Sequence, residues 1–228
     1  MSGLDPSPSL ACERGRSIEF DVRATALLCI DFQRDFLAPD GLAASHHANI
    51  APLERAALRA EKVLAAARRG GLFVVHTREI YAPDLADLNS FRRRYDRSIG
   101  QPGPLGRFLI RGEQGSEICD SLAPHPGEPV VDKAAFNAFC GTSLDSMLRT
   151  RGIETLLLTG VTTQCCIAST LRGAVDIGYR CVVLADACAA YDPEDHEATL
   201  RVIYSENHTF GWVSDTARAC AAISPADG

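Results

Sequence analysis

The chain has 228 residues, of which 46% are hydrophobic and 23% are charged. That balance is typical of a globular domain and excludes a disordered chain, a collagen or a coiled coil. The 23 Lys and Arg residues are outnumbered by 29 Asp and Glu residues, so the net charge of −6 disfavours nucleic acid or an anionic membrane as the main partner.

The cysteines and the N-terminal residues predict the cellular compartment of the protein. The sequence contains nine cysteines, an odd number, and no C-x-x-C pair. Its first residues are polar and lack the apolar core of a signal peptide. No apolar run approaches the roughly 18 residues that a membrane helix needs. We therefore expect a cytoplasmic protein with free thiols.

Short β-rich runs alternate with helical stretches along the chain. Continuous apolar strands that alternate with helices indicate a mostly parallel sheet covered by helices on both faces. We predict one three-layer α/β domain with a six-stranded sheet over residues 21–224, after a flexible segment at residues 1–20. Strands are predicted at residues 25–30, 72–76, 129–132, 154–159, 180–185 and 209–213, and helices at residues 52–69, 143–151, 165–177, 193–204 and 215–222.

A long region without a strong helix or strand pattern covers residues 77–115 and is rich in Arg, Asp, Pro and Gly. Such a long loop in a compact domain is usually functional. The run Arg92, Arg93 and Arg94 within it is expected to form salt bridges at a subunit interface.

Three chemically active side chains follow predicted strands, where parallel sheets bind their ligands. Asp31 and Lys133 each come at the end of a strand, and Cys166 lies at the start of the helix after strand 154–159. Each has an ordinary explanation, as a turn Asp, a solvated Lys and a buried Cys. A thiol at a helix start is, however, favoured as thiolate. Thiol, base and orienting cation together are the parts of an activated nucleophile.

Three motifs carry a resemblance to a known family. They are Cys29-Ile-Asp-Phe-Gln-Arg-Asp-Phe36, Asp132-Lys133 and Gly160-Val-Thr-Thr-Gln-Cys-Cys166. With these motifs in order, the chain resembles the isochorismatase-like cysteine hydrolases over about residues 25–213, and is most similar to biuret hydrolase and related ureide amidohydrolases. The resemblance implies a Rossmann-like αβα fold and a catalytic triad of Asp31, Lys133 and Cys166, with Cys166 and not Cys165 as the nucleophile.

The same resemblance implies the surroundings of the triad. The peptide bond between Val161 and Thr162 is expected to be cis, and the backbone N–H groups of Thr162 and Cys166 are expected to form the oxyanion hole. Phe36 and Phe139 are expected to wall the pocket. Glu206 is expected to hold the far end of the substrate, although an exposed helix end is an equally ordinary place for it. Because a carboxylate only accepts hydrogen bonds, Glu206 there would favour cationic guanylurea over neutral biuret.

The implied reaction is hydrolysis of the terminal carbamoyl C–N bond of a small ureide, biuret or guanylurea, with release of ammonia through a covalent acyl-enzyme. Three alternatives remain: hydrolysis of ureidoacrylate or an N-carbamoyl amino acid, ether hydrolysis of an isochorismate-type substrate, and a non-catalytic binding module. No cofactor is expected. A metal is not expected either, since the adjacent His46 and His47 lack the spacing of metal ligands. Relatives imply a homodimer or homotetramer.

Overall fold

The structure is a computed structural model that describes residues 9–46 and 49–223. The first half of the chain contains Ser9–Cys12 (β1), Arg16–Glu19 (β2), Thr25–Ile30 (β3), Arg34–Leu37 (α1), Leu42–His46 (α2), Ala51–Gly70 (α3), Phe73–Glu79 (β4), Ser90–Tyr95 (α4), Pro102–Gly103 (β5) and Gly106–Arg107 (β6). The second half contains Val130–Lys133 (β7), Leu144–Thr150 (α5), Thr155–Val161 (β8), Ala168–Asp176 (α6), Arg180–Ala189 (β9), Pro193–Ile203 (α7), Ser205–His208 (α8), Trp212–Ser214 (β10) and Thr216–Ile223 (α9).

The central sheet has six strands in the order β10-β9-β8-β3-β4-β7, and every neighbouring pair is parallel. All six residues of β3 are buried, as expected for a strand covered on both faces. Leu27 faces an apolar cluster shared with α3 and α9, whereas Leu28 faces a second cluster shared with α5, α6 and α7. The predicted three-layer α/β fold is confirmed.

Helix α3 illustrates how the sequence sets the layers. Its apolar residues recur at helical spacing and bury one face, from Leu53 to Ala67. The helix ends where Gly71 adopts a φ of 76°, a left-handed conformation that glycine takes without steric cost, and the Gly71 N–H bonds back to the carbonyl of Ala67. The Gly70-Gly71 stop signal in the sequence therefore marks the end of this helix.

The N-terminal segment differs from the expectation of flexibility over residues 1–20. Residues 1–8 lie outside the described residues, but β1 and β2 form an antiparallel hairpin packed on the central domain. Its buried side chains alternate along each strand, and the Ser214 hydroxyl donates a hydrogen bond to a hairpin carbonyl at 2.6 Å. The hairpin belongs to the domain because this alternation places apolar side chains on one face, namely Leu10, Cys12, Ile18 and Phe20.

The long region between β4 and β7 is also more ordered than its composition indicates. It contains α4, the short β5–β6 hairpin and an apolar cluster of its own around Tyr81, Phe108 and Ile110. The Asp35 carboxylate in α1 accepts a hydrogen bond from the Leu109 N–H at 2.8 Å, which ties this region to the end of β3. Burial raises the pKa of Asp35 to about 6. None of the helices in the described ranges combines the length and apolarity needed to cross a bilayer.

Glu128 holds three elements together just before β7. Its carboxylate accepts a pair of hydrogen bonds from Arg68 at 2.8 Å each, one from the His125 N–H at 2.8 Å, and lies 3.0 Å from Nε2 of His76. Burial alone raises the pKa of Glu128, but the hydrogen bonds from these groups outweigh it and lower the pKa to about 2. The group thus joins the end of α3 to β4 and to the start of β7.

We predict that Glu128→Gln destabilises the fold in a pH-dependent manner. Because the folded-state pKa lies below the unfolded value, Glu128 stabilises the protein above the unfolded pKa and loses this effect as the pH falls towards 2. Urea unfolding should show a loss of about 3 kcal/mol at pH 7 that shrinks to about 1 kcal/mol at pH 3. The matched control is Glu154→Gln at an exposed ion pair with Arg180, where a change below about 0.5 kcal/mol is expected. An equal loss for Glu128→Gln at both pH values would contradict the assignment.

Candidate active site

Asp31, Lys133 and Cys166 meet at one edge of the sheet, which we call the carboxyl edge because the carboxyl ends of the strands lie there. Asp31 directly follows β3, and Lys133 is the last residue of β7. Cys166 lies in a π-helical turn at Thr163–Ile167, between β8 and α6. All three side chains are buried. The structure therefore brings together the three residues that the sequence singled out, while their catalytic roles stay predictions.

Gly160 lets the turn that carries Cys166 approach Asp31. Its φ of 141° lies in the region that favours glycine, and a Cβ at this position would lie 2.1 Å from the carbonyl oxygen of Ile30. Only glycine allows β8 to lie so close to the end of β3. The peptide bond between Val161 and Thr162 is cis, as the resemblance implies.

The Lys133 ammonium is the centre of the site. Its Nζ lies 2.7 Å from Oδ2 of Asp31, 2.9 Å from the carbonyl oxygen of Ala135 and 3.5 Å from Sγ of Cys166. Burial favours loss of the proton, but the negative charge of Asp31, assisted by that of Glu79, outweighs burial and raises the pKa of Lys133 above its usual value. Lys133 is therefore a permanent cation beside the sulfur.

The pKa of the Cys166 thiol differs from the expectation that a position at a helix start favours the thiolate. Burial raises the pKa of Cys166 well above 9, the negative charge of Asp31 raises it further, and Lys133 only partly opposes these effects. Glu79 raises it as well. The surroundings of the sulfur thus favour the protonated thiol over the thiolate.

Glu79 is a member of this site that the sequence analysis did not assign. Its Oε2 accepts a hydrogen bond from Sγ of Cys166 at 3.6 Å and lies 4.0 Å from Nζ of Lys133. Its other oxygen accepts hydrogen bonds from the Tyr81 hydroxyl at 2.9 Å and from Nη2 of Arg92. The thiol is thus surrounded by two carboxylates and one ammonium.

Arg92 is buried within the chain, while the subunit interface expected for the run Arg92 to Arg94 stays a prediction. Its Nη2 contacts Glu79 and also lies 3.1 Å from Oδ2 of Asp96. The guanidinium lies 4.1 Å from the centre of the Phe136 ring. Helix α4, at the middle of the long region, therefore delivers a cation to the second carboxylate of the site.

A weak sequence signal for Glu79 does exist. Side chains along a strand alternate between faces, so Thr77 and Glu79 share one face of β4. Thr77 donates a hydrogen bond to Oδ1 of Asp31 at 2.6 Å, and Glu79 pairs in register with Lys133 on β7. The alternation can be read from the sequence, whereas the register that sets Glu79 opposite Lys133 requires the structure.

The two aromatic residues expected in the pocket wall lie in different places. Phe36, in α1, lies at the carboxyl edge and packs edge-on against Phe108 with ring centres 5.7 Å apart. Phe139 instead stacks on Tyr179, which precedes β9 at the opposite edge of the sheet. The chain after Lys133 runs beside α6, where the Ala138 N–H donates a hydrogen bond to the Thr170 hydroxyl at 3.0 Å, and a role for Phe139 in the pocket wall stays a prediction.

Glu206 is not brought to Cys166 either. It lies in α8, just before β10, whose first residue pairs with Val182 near the start of β9. Asn207 beside it accepts a hydrogen bond from Arg16 at 2.9 Å. The seven-residue strand β8 spans roughly 20 Å between that edge and Cys166. Within one chain, Glu206 is therefore an exposed residue at the end opposite the candidate site.

Asp31, Glu79 and Cys166 are also close enough together to bind a cation, since one ligand atom of each lies within 4.8 Å of the others. The Lys133 ammonium already lies against both carboxylates and supplies the positive charge there. His46 is exposed at the end of α2, and His47 lies outside the described residues.

The chain is similar to known proteins both in sequence and in fold. The chain is 34% identical to the ureidoacrylate amidohydrolase RutB of Methylorubrum extorquens over 92% of this chain and 87% of that protein. A cysteine hydrolase from Pseudomonas syringae pv. phaseolicola has a similar structure, with a TM-score of 0.79, 26% identity and coverage of 96% of this chain and 98% of that one. The N-carbamoylsarcosine amidase of Thermoplasma acidophilum is similar with a TM-score of 0.66, 27% identity and coverage of 84% and 96%.

The family model for the isochorismatase domain matches residues 25–218, which span β3 to α9 and include every residue of the site described above. A match over most of the chain, together with the shared fold, shows that this protein belongs to the isochorismatase family of cysteine hydrolases.

Proposed function

We propose that this protein hydrolyses the terminal carbamoyl C–N bond of a small ureide and releases ammonia. The observation that carries the proposal is the position of the Lys133 ammonium, 2.7 Å from Asp31 and 3.5 Å from Sγ of Cys166. A buried thiol next to a carboxylate and a fixed cation is an arrangement for nucleophilic attack on a carbonyl carbon.

The proposed reaction proceeds through a covalent intermediate. A carboxylate takes the thiol proton, a role that the family resemblance gives to Asp31, and the sulfur attacks the carbamoyl carbon. The developing oxyanion is received by the backbone N–H groups of Thr162 and Cys166, and the departing nitrogen takes the proton and leaves as ammonia. Water then attacks the acyl-enzyme and the thiol is restored.

The balance of buried charge supports a neutral substrate such as biuret. Asp31 and Glu79 carry two negative charges, and Lys133 and Arg92 carry two positive charges. A neutral ureide enters this site without adding a charge that would need a new partner. The argument for cationic guanylurea rested on Glu206, which lies at the opposite edge of the sheet, so guanylurea is the weaker candidate.

A ureide with a carboxylate, such as ureidoacrylate or an N-carbamoyl amino acid, is a second candidate. Nε and Nη1 of Arg92 are buried and have no hydrogen-bond acceptor among residues 9–46 and 49–223, and the similarity to a ureidoacrylate amidohydrolase points the same way. Arg92→Lys keeps the charge but removes these donors. If they bind a carboxylate, kcat/KM for ureidoacrylate should fall by about tenfold more than kcat/KM for biuret. An equal loss for both substrates would count against this candidate.

We predict that Cys166→Ala lowers ammonia release from biuret by about a thousandfold or more, because the nucleophile is lost. Cys165→Ala is the matched control and should retain activity within about threefold, since the neighbouring thiol is not part of the charged cluster. The measurement is steady-state ammonia release by purified protein. Loss of activity in Cys165→Ala with activity retained in Cys166→Ala would identify Cys165 as the nucleophile.

The same variants test the alternative functions. Full activity of Cys166→Ala on an isochorismate-type ether would favour ether hydrolysis, and ureide binding without ammonia release would indicate a binding module.

We predict that Glu206→Gln leaves substrate preference unchanged. A side chain at the opposite edge of the sheet does not contact substrate, so the ratio of kcat/KM for biuret to that for guanylurea should change by less than about twofold. The ratio is obtained from ammonia release by wild type and variant under identical conditions. A clear shift of the ratio would place Glu206 at a substrate site, in that case one completed by another copy of the chain.

A further inference from the structure

We propose that Thr170 is a positioning residue for the proposed reaction, because its hydroxyl holds the loop that fixes the Lys133 ammonium against the helical segment that carries Cys166. This inference rests on the proposed function and adds to it a residue outside the triad of Asp31, Lys133 and Cys166. The effect of Thr170 passes through residues 134–138, which we call the lysine loop because they directly follow Lys133.

The lysine loop supplies one of the three acceptors around the ammonium. Nζ of Lys133 lies 2.7 Å from Oδ2 of Asp31, 2.9 Å from the carbonyl oxygen of Ala135 and 3.5 Å from Sγ of Cys166. A lysine side chain is flexible, so the position of its ammonium depends on the groups that accept hydrogen bonds from it. Since the sulfur is itself the reacting atom, the distance from Nζ to Sγ is set by Asp31 and by the Ala135 carbonyl.

These two acceptors differ in what supports them. Asp31 directly follows β3, in the middle of the sheet, and its Oδ1 accepts a hydrogen bond from the Thr77 hydroxyl on the neighbouring strand at 2.6 Å. Ala135 lies in the lysine loop, which follows β7 at the edge of the sheet. The position of the Ala135 carbonyl therefore depends on what the loop contacts outside the sheet.

Thr170 makes that contact from α6. Its side chain is fully buried, and its hydroxyl accepts a hydrogen bond from the Ala138 N–H at 3.0 Å and donates one to the Phe136 carbonyl at 3.5 Å. Gly173, on the next turn of α6, lets the loop approach, since a Cβ there would lie 2.2 Å from Nδ2 of Asn137. The lysine loop is thus held on α6 by the two hydrogen bonds of one hydroxyl.

The element that holds the lysine loop also carries the sulfur. Cys166 lies in the π-helical turn Thr163–Ile167, which continues directly into α6. Thr170 follows Cys166 by four residues. Side chains four residues apart on a helix are neighbours on one face. The acceptor of the lysine and the thiol are therefore fixed to the same face of one helical segment, and Thr170 joins them.

The position of the ammonium matters because its positive charge favours the ionised sulfur. Lys133 lowers the pKa of Cys166, against the raising effects of burial and of Asp31. The attraction between two charges falls as they separate, so a retreat of Nζ by about 1 Å should reduce the thiolate population by about fivefold. Loss of the Thr170 hydroxyl frees the lysine loop and permits such a retreat.

The first test measures the rate of Cys166 alkylation by iodoacetamide in a Cys165→Ala background, followed by mass spectrometry, and needs no substrate. Thr170→Val removes the hydroxyl at similar volume and should slow alkylation by about fivefold at each pH below the thiol pKa. Thr170→Ser keeps the hydroxyl and should stay within about twofold of wild type. A fold that is merely loosened exposes the sulfur and speeds alkylation, so an equal or faster rate in Thr170→Val would overturn the proposal.

The second test measures ammonia release from biuret by the same variants. Thr170→Val should lower kcat by about ten- to a hundredfold with KM within about threefold, since catalysis responds steeply to a misplaced group. Thr170→Ser should recover kcat to within about threefold. The matched control is Thr25→Val, which removes a buried hydroxyl that donates to the Asp21 carbonyl at 2.6 Å, at the edge opposite the site. An equal loss in Thr25→Val or in Thr170→Ser would assign the effect to stability or packing and overturn the proposal.

Further measurements separate the causes of failure. The Tm of each variant reports whether it folds, and Thr170→Ala replaces Thr170→Val if the valine methyl group crowds the Ala138 N–H. If wild type releases no ammonia from any ureide but Thr170→Val still slows alkylation, the proposed substrate class is wrong and the role of Thr170 stands. If wild type and Thr170→Val release ammonia equally well, the proposed function stands and the role of Thr170 is wrong.

Discussion

The buried contact between Lys133 and Asp31 is the interaction on which the rest of the site depends. Both side chains are withdrawn from water, and removal of one partner from such a pair typically costs about 3–5 kcal/mol because the other charge stays buried. The parallel sheet makes the pair possible, since β3 and β7 end at the same edge with β4 between them. Cys166, at the end of β8, then meets a cation whose position is already fixed.

The long region between β4 and β7 extends this arrangement and forms part of the carboxyl edge. Through α4 it supplies Arg92, which balances Glu79 just as Lys133 balances Asp31. The region is held to the start of the first motif by the hydrogen bond between Asp35 and Leu109. An apolar cluster within the long region packs it against α2. A segment whose sequence predicts a loop is therefore packed well enough to hold a buried charge in place.

The sequence predicts those features that depend on local pattern. Apolar runs predict all six strands, and the glycine stop signal predicts the end of α3. The rule that ligands bind at strand ends then points to Asp31, Lys133 and Cys166. Features that depend on register or on the path of a loop were missed. Glu79 required the pairing of β4 with β7, Arg92 required the fold of the long region, and the path along α6 took Phe139 to Tyr179.

The expectation for Glu206 depends on the direction of the strands in the same way. The resemblance to relatives places Glu206 shortly before the last strand, but it does not say at which edge of the sheet that strand begins. In a parallel sheet the residues that precede a strand lie at the edge opposite those that follow one. Glu206 precedes β10, whereas Cys166 follows β8, so the two are separated by the full length of the sheet.

The charges of the site show how the buried thiol can lose its proton within the protein, as the proposed reaction requires. With Cys166 protonated, Asp31 and Glu79 are balanced by Lys133 and Arg92, so the buried cluster is neutral. Ionising the thiol by releasing its proton to solvent would add a buried negative charge, which is why burial and the carboxylates raise the pKa of Cys166. Moving that proton from sulfur to one of the two neighbouring carboxylates leaves the total charge of the cluster unchanged. A thiolate can therefore form inside the protein without any new uncompensated charge.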